Sequence, residues 1–329
     1  MKAYTELTRL GKIRRLRQVV LSALAEYDLR VEWIKFLTIE TNTMFQIRAE
    51  DGERFVLRIY SDEETTLKEN QAEMFWLETL IRDTDIKVTE PVARCDGKYI
   101  TIISLPGVPA ERRCVLFKWI PGRTLEYYLN SENYYKYGQV LAKLHNHANT
   151  LNPLPQNISP KKWDKVFYYP DEPVVYNTPE YAHLFPTERI KILDEVIGRA
   201  NDVFEKLFSD QDGQILIHGD LHYWNVHLYQ GELYVIDFED INLGYPVQDV
   251  AVTLSYGRQH DGYQAWQAAF QQGYSNIRPW PTENEYIVET LIAARSVMFI
   301  NYVARIDSSP EEYIDARCQS LVEFLNTFV

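Results

Sequence analysis

Glycine is scarce in this chain of 329 residues: there are 14, about 4% against a usual ~7%, so a phosphate site built on a long glycine-rich loop is not expected. Cysteine is scarcer still. Cys95, Cys114 and Cys318 are odd in number, widely spaced and without a CxxC pair, which gives neither a disulfide framework nor a zinc motif. A reducing cytoplasm is the expected compartment. Also missing is a run of ~20 uninterrupted apolar residues. The nearest candidate, Leu291 to Val303, contains Arg295, and no membrane partner is expected. The last absence is a basic excess. The net charge is −13, residues 1–118 hold 19 basic and 19 acidic side chains, and the remainder holds 15 and 28. A nucleic-acid surface needs a basic stripe to neutralise phosphates, so none is expected here. A cationic substrate would be drawn to such an acidic region, although solubility is the plainer reading of the same charge.

What is present is ordinary globular material, 46% hydrophobic and 25% charged, in a chain about twice the usual single-domain length. Leu10, Ile13, Leu16, Val20, Leu21 and Leu24 recur every three or four residues, which predicts a leading helix over 8–26 rather than a signal peptide ending in the A-x-A of Ala23 to Ala25. Arg30 to Leu37, Met44 to Ala49 and Arg54 to Tyr60 alternate as strands, with Asp51-Gly52 as a hairpin turn. Thr65 to Leu80 reads as a helix, with Ser61-Asp62 offering a cap, and Pro91 to Ile103 and Arg113 to Trp119 return to strand character. Ile120-Pro121-Gly122 breaks the chain. Helical patterns dominate beyond it, interrupted by a proline-rich aromatic insert between Leu151 and Thr187. The boundary between two domains falls near Lys118.

The informative segment is His218-Gly219-Asp220-Leu221-His222-Tyr223-Trp224-Asn225, followed by Ile236-Asp237-Phe238-Glu239-Asp240. Two short strands each end in a carboxylate, and Asn225 closes the loop that Asp220 opens. Hard cations such as Mg²⁺ take oxygen ligands and substrate phosphates, a task that suits Asn225 and Asp237. Asp220, if left off the metal, could accept a proton from a hydroxyl attacking a phosphoryl group. The five-residue interval from Asp220 to Asn225 matches the protein-kinase catalytic loop, and Asp237 stands where its metal-binding Asp follows.

With Asp249-Val250-Ala251 after it, this segment resembles that of the aminoglycoside phosphotransferase and choline kinase-like family, small-molecule relatives of protein kinases. Tyr137 to His145 is similar to a helix of that family, and Phe117 to Gly122 to its inter-lobe hinge. The resemblance runs from about residue 30 to 305, and only the catalytic segment is sharply diagnostic. It implies an α+β, bilobal protein kinase-like fold. The nucleotide-binding lobe, 1–118, would be an antiparallel sheet with a helix, and the catalytic and substrate-binding lobe, 119–329, mainly helical, with ATP between them. It further implies that Arg58 on the third strand binds ATP phosphates, a departure from lysine, with Glu73 as its partner and Glu69 as rival. The phosphate-covering turn, Thr38 to Phe45, has no glycine, and Asn42 would supply its left-handed backbone. Lys118 and Ile120 would contact the base through backbone groups.

Other readings stand beside these. His218, His222 and His227 with Asp220 and Asp237 could form a zinc or binuclear site, whereas in the family His218 and His222 support the catalytic loop. Asp249 is either a helix cap or the brace of that loop. Glu239 and Asp240 are read as solvated, or Glu239 as part of a metal's outer shell. His145 and His147 are read as structural or surface residues, and Trp163, Phe167, Tyr168 and Tyr169 as packing, beside the alternative that their aromatic faces line a pocket for a cationic substrate. The expected reaction is Mg²⁺-dependent transfer of the γ-phosphoryl group of ATP to a hydroxyl of a small, amine-bearing molecule resembling an aminoglycoside, choline or homoserine. A protein Ser/Thr kinase and a non-catalytic nucleotide-binding module are the alternatives.

Overall fold

Strand alternation over residues 30–60 becomes three antiparallel strands in the computed structural model, which describes residues 2–61, 65–169, 172–209 and 213–328. Along the chain the elements are α1 (Arg9–Leu24), β1 (Val31–Ile39), β2 (Thr43–Ala49), β3 (Arg54–Ile59), α2 (Leu67–Asp83), β4 (Lys87–Val88), β5 (Thr101–Ile103), β6 (Arg112–Lys118) and β7 (Arg123–Thr124). Then come α3 (Ser131–Thr150), β8 (Lys161–Lys162), α4 (Thr187–Phe208), β9 (Ile215–Ile217), β10 (Val226–Tyr229), β11 (Glu232–Val235) and β12 (Asn242–Gly244). The last four are α5 (Pro246–Ser255), α6 (Tyr263–Ser275), α7 (Glu285–Ile306) and α8 (Glu311–Thr327). The class is α+β.

Two compact units are formed: Met1–Thr124 with Leu154–Pro160 and Val226–Glu239, and Leu125–Pro153 with Lys161–Asn225 and Asp240–Val329. A single cut near Lys118 does not describe this interleaving. The reason is the β10–β11 hairpin, which pairs with β7 on one side and with β4 on the other and so joins the first unit.

In the first unit a five-stranded antiparallel sheet runs in the order β1-β2-β3-β6-β5, with Phe45 opposite Leu57 and Arg58 opposite Val115. Leu16, Val19, Val20, Ala23 and Leu24 of α1 share a core with Phe45, Ile47, Leu57, Ile59 and Leu116 of the sheet. Leu10 and Leu21, expected on the same helix face, are exposed. The cap of α2 is Thr66, whose hydroxyl accepts from the Glu69 amide while Glu69 Oε2 accepts from the Thr66 amide at 2.7 Å, a reciprocal capping box. Asp62, expected to help cap that helix, lies outside the described residues. Pro91 to Ile103 is not one strand. Pro91 makes only an isolated bridge to Phe117, proline offers no ladder donor, and a turn at Asp96-Gly97, with Gly97 at φ +82°, separates it from β5.

The second unit is mainly helical, with a small sheet in the order β8-β12-β9. Helices α3 and α6 cross closely, because a Cβ on Gly273 would stand 1.9 Å from the Tyr135 carbonyl oxygen and one on Gly138 2.0 Å from that of Phe270. Only glycine permits such an approach. Helix α7 is apolar and long enough to span a bilayer by length and composition. Most of it is buried, through Leu291, Ala294, Val297 and Ile300 among others, as a helix apolar on all sides requires.

Candidate functional site

The sequence-predicted residues divide between the two units. In the first, β3 delivers Arg58 and α2 delivers Glu73, and Arg58 Nη1 donates to Glu73 Oε1 at 3.0 Å. Glu69, the rival, is used in the helix cap. Arg58 Nη2 also donates to Asp237 Oδ1 at 2.9 Å, and Glu239 Oε2 lies 3.7 Å from Nη1. Tyr60 Oη donates to Glu73 Oε2 at 2.6 Å, a contact with no sequence signal. Burial alone would lower the Arg58 guanidinium, but Glu73, Asp237 and Glu239 outweigh it and hold it well above its ordinary value. A buried cation is tolerated when it is paired in this way.

Asp237 follows β11 at φ +65°, a left-handed conformation that non-glycine residues keep only where the surroundings impose it. Its Oδ2 has no protein partner among the described residues. Asn42 is buried, but its backbone is not left-handed: among the described residues, those other than glycine at positive φ are Ala110, Gln230 and Asp237. Its side chain works instead, as Nδ2 donates to Glu239 and Oδ1 accepts from the Ser61 amide at 3.0 Å. Glu239 is therefore not simply solvated. Lys118 ends β6, and its amide donates to the Glu90 carbonyl at 2.9 Å. A backbone contact from Lys118 to a nucleotide base would therefore use its carbonyl, and Ile120, the other hinge residue, is half-buried.

The second unit holds the catalytic-loop residues. Gly219 has φ +79°, and a Cβ there would stand 2.2 Å from the Asp240 carbonyl oxygen, so the loop starts at a position only glycine can fill. Asp249, in the first turn of α5, is not a cap. Its Oδ2 accepts from the His218 amide and its Oδ1 from the Gly219 amide, both at 2.8 Å, and it is the brace of the loop. Its burial would raise the carboxyl, but the His145 hydrogen bond and the Gly219 amide hold it below the usual range. His145 is buried, with Nε2 3.1 Å from Asp249 Oδ2 and Nδ1 2.8 Å from Tyr274 Oη. The Leu221 carbonyl accepts from Tyr137 Oη and Thr253 Oγ1 at 2.6 and 2.7 Å.

Asn225 Nδ2 donates to the Asp220 carbonyl at 2.9 Å and to Asp220 Oδ2 at 3.1 Å. Among the described residues this leaves Asn225 Oδ1 without a protein partner. His222 Nε2 lies 3.3 Å from Asp220 Oδ2, and His218 Nδ1 accepts from the Asp220 amide at 3.4 Å. Two features escaped the sequence reading. Arg295 of α7 donates to Asp220 Oδ1; its one signal was a charge in the middle of an apolar run. Asp240 is half-buried and accepts from Lys161 Nζ at 3.0 Å and Tyr169 Oη at 2.6 Å. Trp163 is fully buried against Tyr168 and Phe204, as packing predicts.

The free oxygens of Asn225 and Asp237 are hard donors of the kind Mg²⁺ takes. Among the described residues, no group of three or more His, Cys, Asp and Glu side chains comes together as a metal site, which leaves the zinc reading without its ligand cluster.

A model of the phosphotransferase enzyme family matches residues 34–286. Amicoumacin kinase of Bacillus subtilis (strain 168) is 23% identical over 244 residues, 74% of this chain and 68% of that protein. Stress response kinase A of Salmonella choleraesuis (strain SC-B67) is 23% identical over 293 residues, 88% of this chain and 82% of that protein. Among solved structures, that of a microcompartment-associated aminopropanol kinase superposes with a TM-score of 0.78 at 19% identity, covering 94% of this chain and 98% of the other.

Proposed function

Because the chain belongs to the phosphotransferase enzyme family, we propose that it transfers the γ-phosphoryl group of ATP to a hydroxyl of a small molecule, with Asp220 as the base. The observation that carries this reading is the Asp220 to Asn225 loop. A carboxylate is fixed by its neighbours and braced through two backbone amides, and an amide oxygen beside it is left free. The acceptor oxygen forms a bond to the γ-phosphorus, its proton passes to Asp220, and the bond from phosphorus to the bridging oxygen breaks to release ADP. Asn225 and Asp237 are the proposed Mg²⁺ ligands, and the ion would neutralise charge on the phosphates. Arg58, organised by Glu73, supplies a permanent cation and a fork of donors suited to phosphate oxygens. Asn42, Lys118 and Ile120 complete the proposed nucleotide contacts.

The acceptor we favour carries an amine. Residues 119–329 hold the whole acidic excess, and a field of that sign concentrates cations. The names of the amicoumacin and aminopropanol kinases support a small-molecule acceptor. A cytoplasmic setting fits the ATP requirement.

The test is ADP release from Mg-ATP against pooled acceptors: aminoglycosides, choline and ethanolamine, homoserine and other amino alcohols, methylthioribose, and simple sugars. Asp220→Asn serves as the blank. Turnover with one pool that the variant loses is the expected result, and dividing the pool names the acceptor. If ATP binds and no pool turns over, while a protein substrate or the chain itself is labelled on Ser or Thr, the acceptor is protein. Binding without any transfer would leave a nucleotide-binding module.

A further inference from the structure

Helix α7 carries one charge in the middle of its buried stretch, Arg295, between Leu291 and Ile300. Burying a guanidinium costs several kcal/mol unless its donors are matched. Here the match is the catalytic loop itself. Nη2 donates to Asp220 Oδ1, Nη1 donates to the Gly219 carbonyl at 3.2 Å, and the ring of Phe299, one turn along the helix, lies 4.9 Å from the guanidinium carbon. Asp220 outweighs the lowering effect of burial, and the guanidinium stays charged. Tyr256 also faces it. Among the described residues the other oxygen, Oδ2, meets Asn225 Nδ2 at 3.1 Å and His222 Nε2 at 3.3 Å.

We propose that Arg295 is a positioning residue for phosphoryl transfer: by holding Asp220 Oδ1 and the Gly219 carbonyl together it fixes the carboxylate plane and leaves Oδ2 as the oxygen that receives the acceptor's proton. The inference rests on the reading of Asp220 as the base. Asp249 and His145 brace the loop through the backbone amides at its entry, whereas Arg295 acts on the carboxylate, so the two supports are not redundant. A guanidinium makes the two contacts from two nitrogens at fixed spacing in one plane, whereas an ammonium offers its donors from a single freely rotating nitrogen.

The test uses the full chain and the slow hydrolysis of Mg-ATP, in which water is the acceptor and ADP is read. Arg295→Met keeps the apolar length of the side chain and removes the fork. Its Asp220-dependent rate is expected to fall about 100-fold, the scale of a 1 Å misplacement of a reacting group, with KM for ATP within about threefold of the wild-type value. Arg295→Lys is expected to recover about a tenth of the lost rate, and Asp220→Asn with Arg295→Met to be no slower than Asp220→Asn alone. A Met variant within about threefold of wild type, or a double variant slower than Asp220→Asn by the full factor, overturns the proposal. If the Met variant does not fold, Arg295→Lys carries the same comparisons. If the wild-type chain shows no Asp220-dependent hydrolysis and no transfer to any acceptor pool or protein, the kinase reading has failed. Crystal structures of the wild-type and Lys variant chains then decide the positioning claim: it stands if the Asp220 carboxylate rotates in the variant and falls if it does not.

Discussion

Asp240 is held between the Lys161 ammonium and the Tyr169 hydroxyl. Its burial would raise the carboxyl, but Lys161 and Tyr169 bring it down to about 2 from 3.8. A depressed carboxyl stabilises the fold at pH values above its unfolded pKa, near 4, and that contribution is lost as pH falls through about 2. The shift corresponds to roughly 2 kcal/mol at neutral pH. Asp240→Asn is expected to lower stability by that order at pH 7, with the deficit shrinking by about half at pH 3, as read by urea unfolding of both chains. An equal deficit at the two pH values would place the effect in packing. Neither this pairing nor that of Arg295 with Asp220 could be read from the sequence, because the partners stand 79 and 75 positions apart and nothing local marks them. Asp220 and Asn225 were legible because the loop that joins them holds both within five positions. Asn42 was singled out for its backbone and acts through its side chain.

Helices and strands with an unbroken period were legible as elements: α1, β1 to β3 and α2 appear close to where their spacing puts them. The stretch from Pro91 to Ile103 was not, because its apolar residues alternate like a strand's while the proline and the Asp96-Gly97 turn deny it a ladder. The crossing of α3 and α6 was equally hidden, since a glycine in a helical pattern signals only weaker propensity. That crossing also sets the distance between His145 on one helix and Tyr274 on the other. Gly273→Ala is expected to destabilise by about 1–3 kcal/mol through overpacking. Gly198→Ala, on α4 with nothing within 4 Å of the added carbon, is expected to stabilise by about 0.4–1 kcal/mol. Denaturant midpoints of the two variants check both signs. Similar effects at both sites would mean that α3 and α6 have room to separate.

At the scale of the whole molecule, the family resemblance implied the α+β class and the charge count a neutral first part and an acidic second one, but neither showed the interleaving of the two units, because the alternation of Val226 to Tyr229 and Leu233 to Ile236 around Gln230-Gly231 predicts a hairpin without saying which sheet takes it. Residues 1–118 expressed alone lack β7, β10 and β11, all of the four-stranded sheet except β4. They are expected to show no cooperative unfolding transition by circular dichroism in urea. A sharp transition would show that the five-stranded sheet and its helices suffice.

The same interleaving bears on biosynthesis. Strand β4 leaves the ribosome long before β10 and β11, the hairpin it pairs with through β11, and β7 waits for β10 across about 100 residues, roughly 5–20 s at ordinary elongation rates. During that interval the nascent chain carries unsatisfied strand edges, which are templates for pairing with other chains. A folding helper that shields the first 124 residues until the hairpin emerges would raise the soluble yield, whereas one acting only on the released chain would come too late.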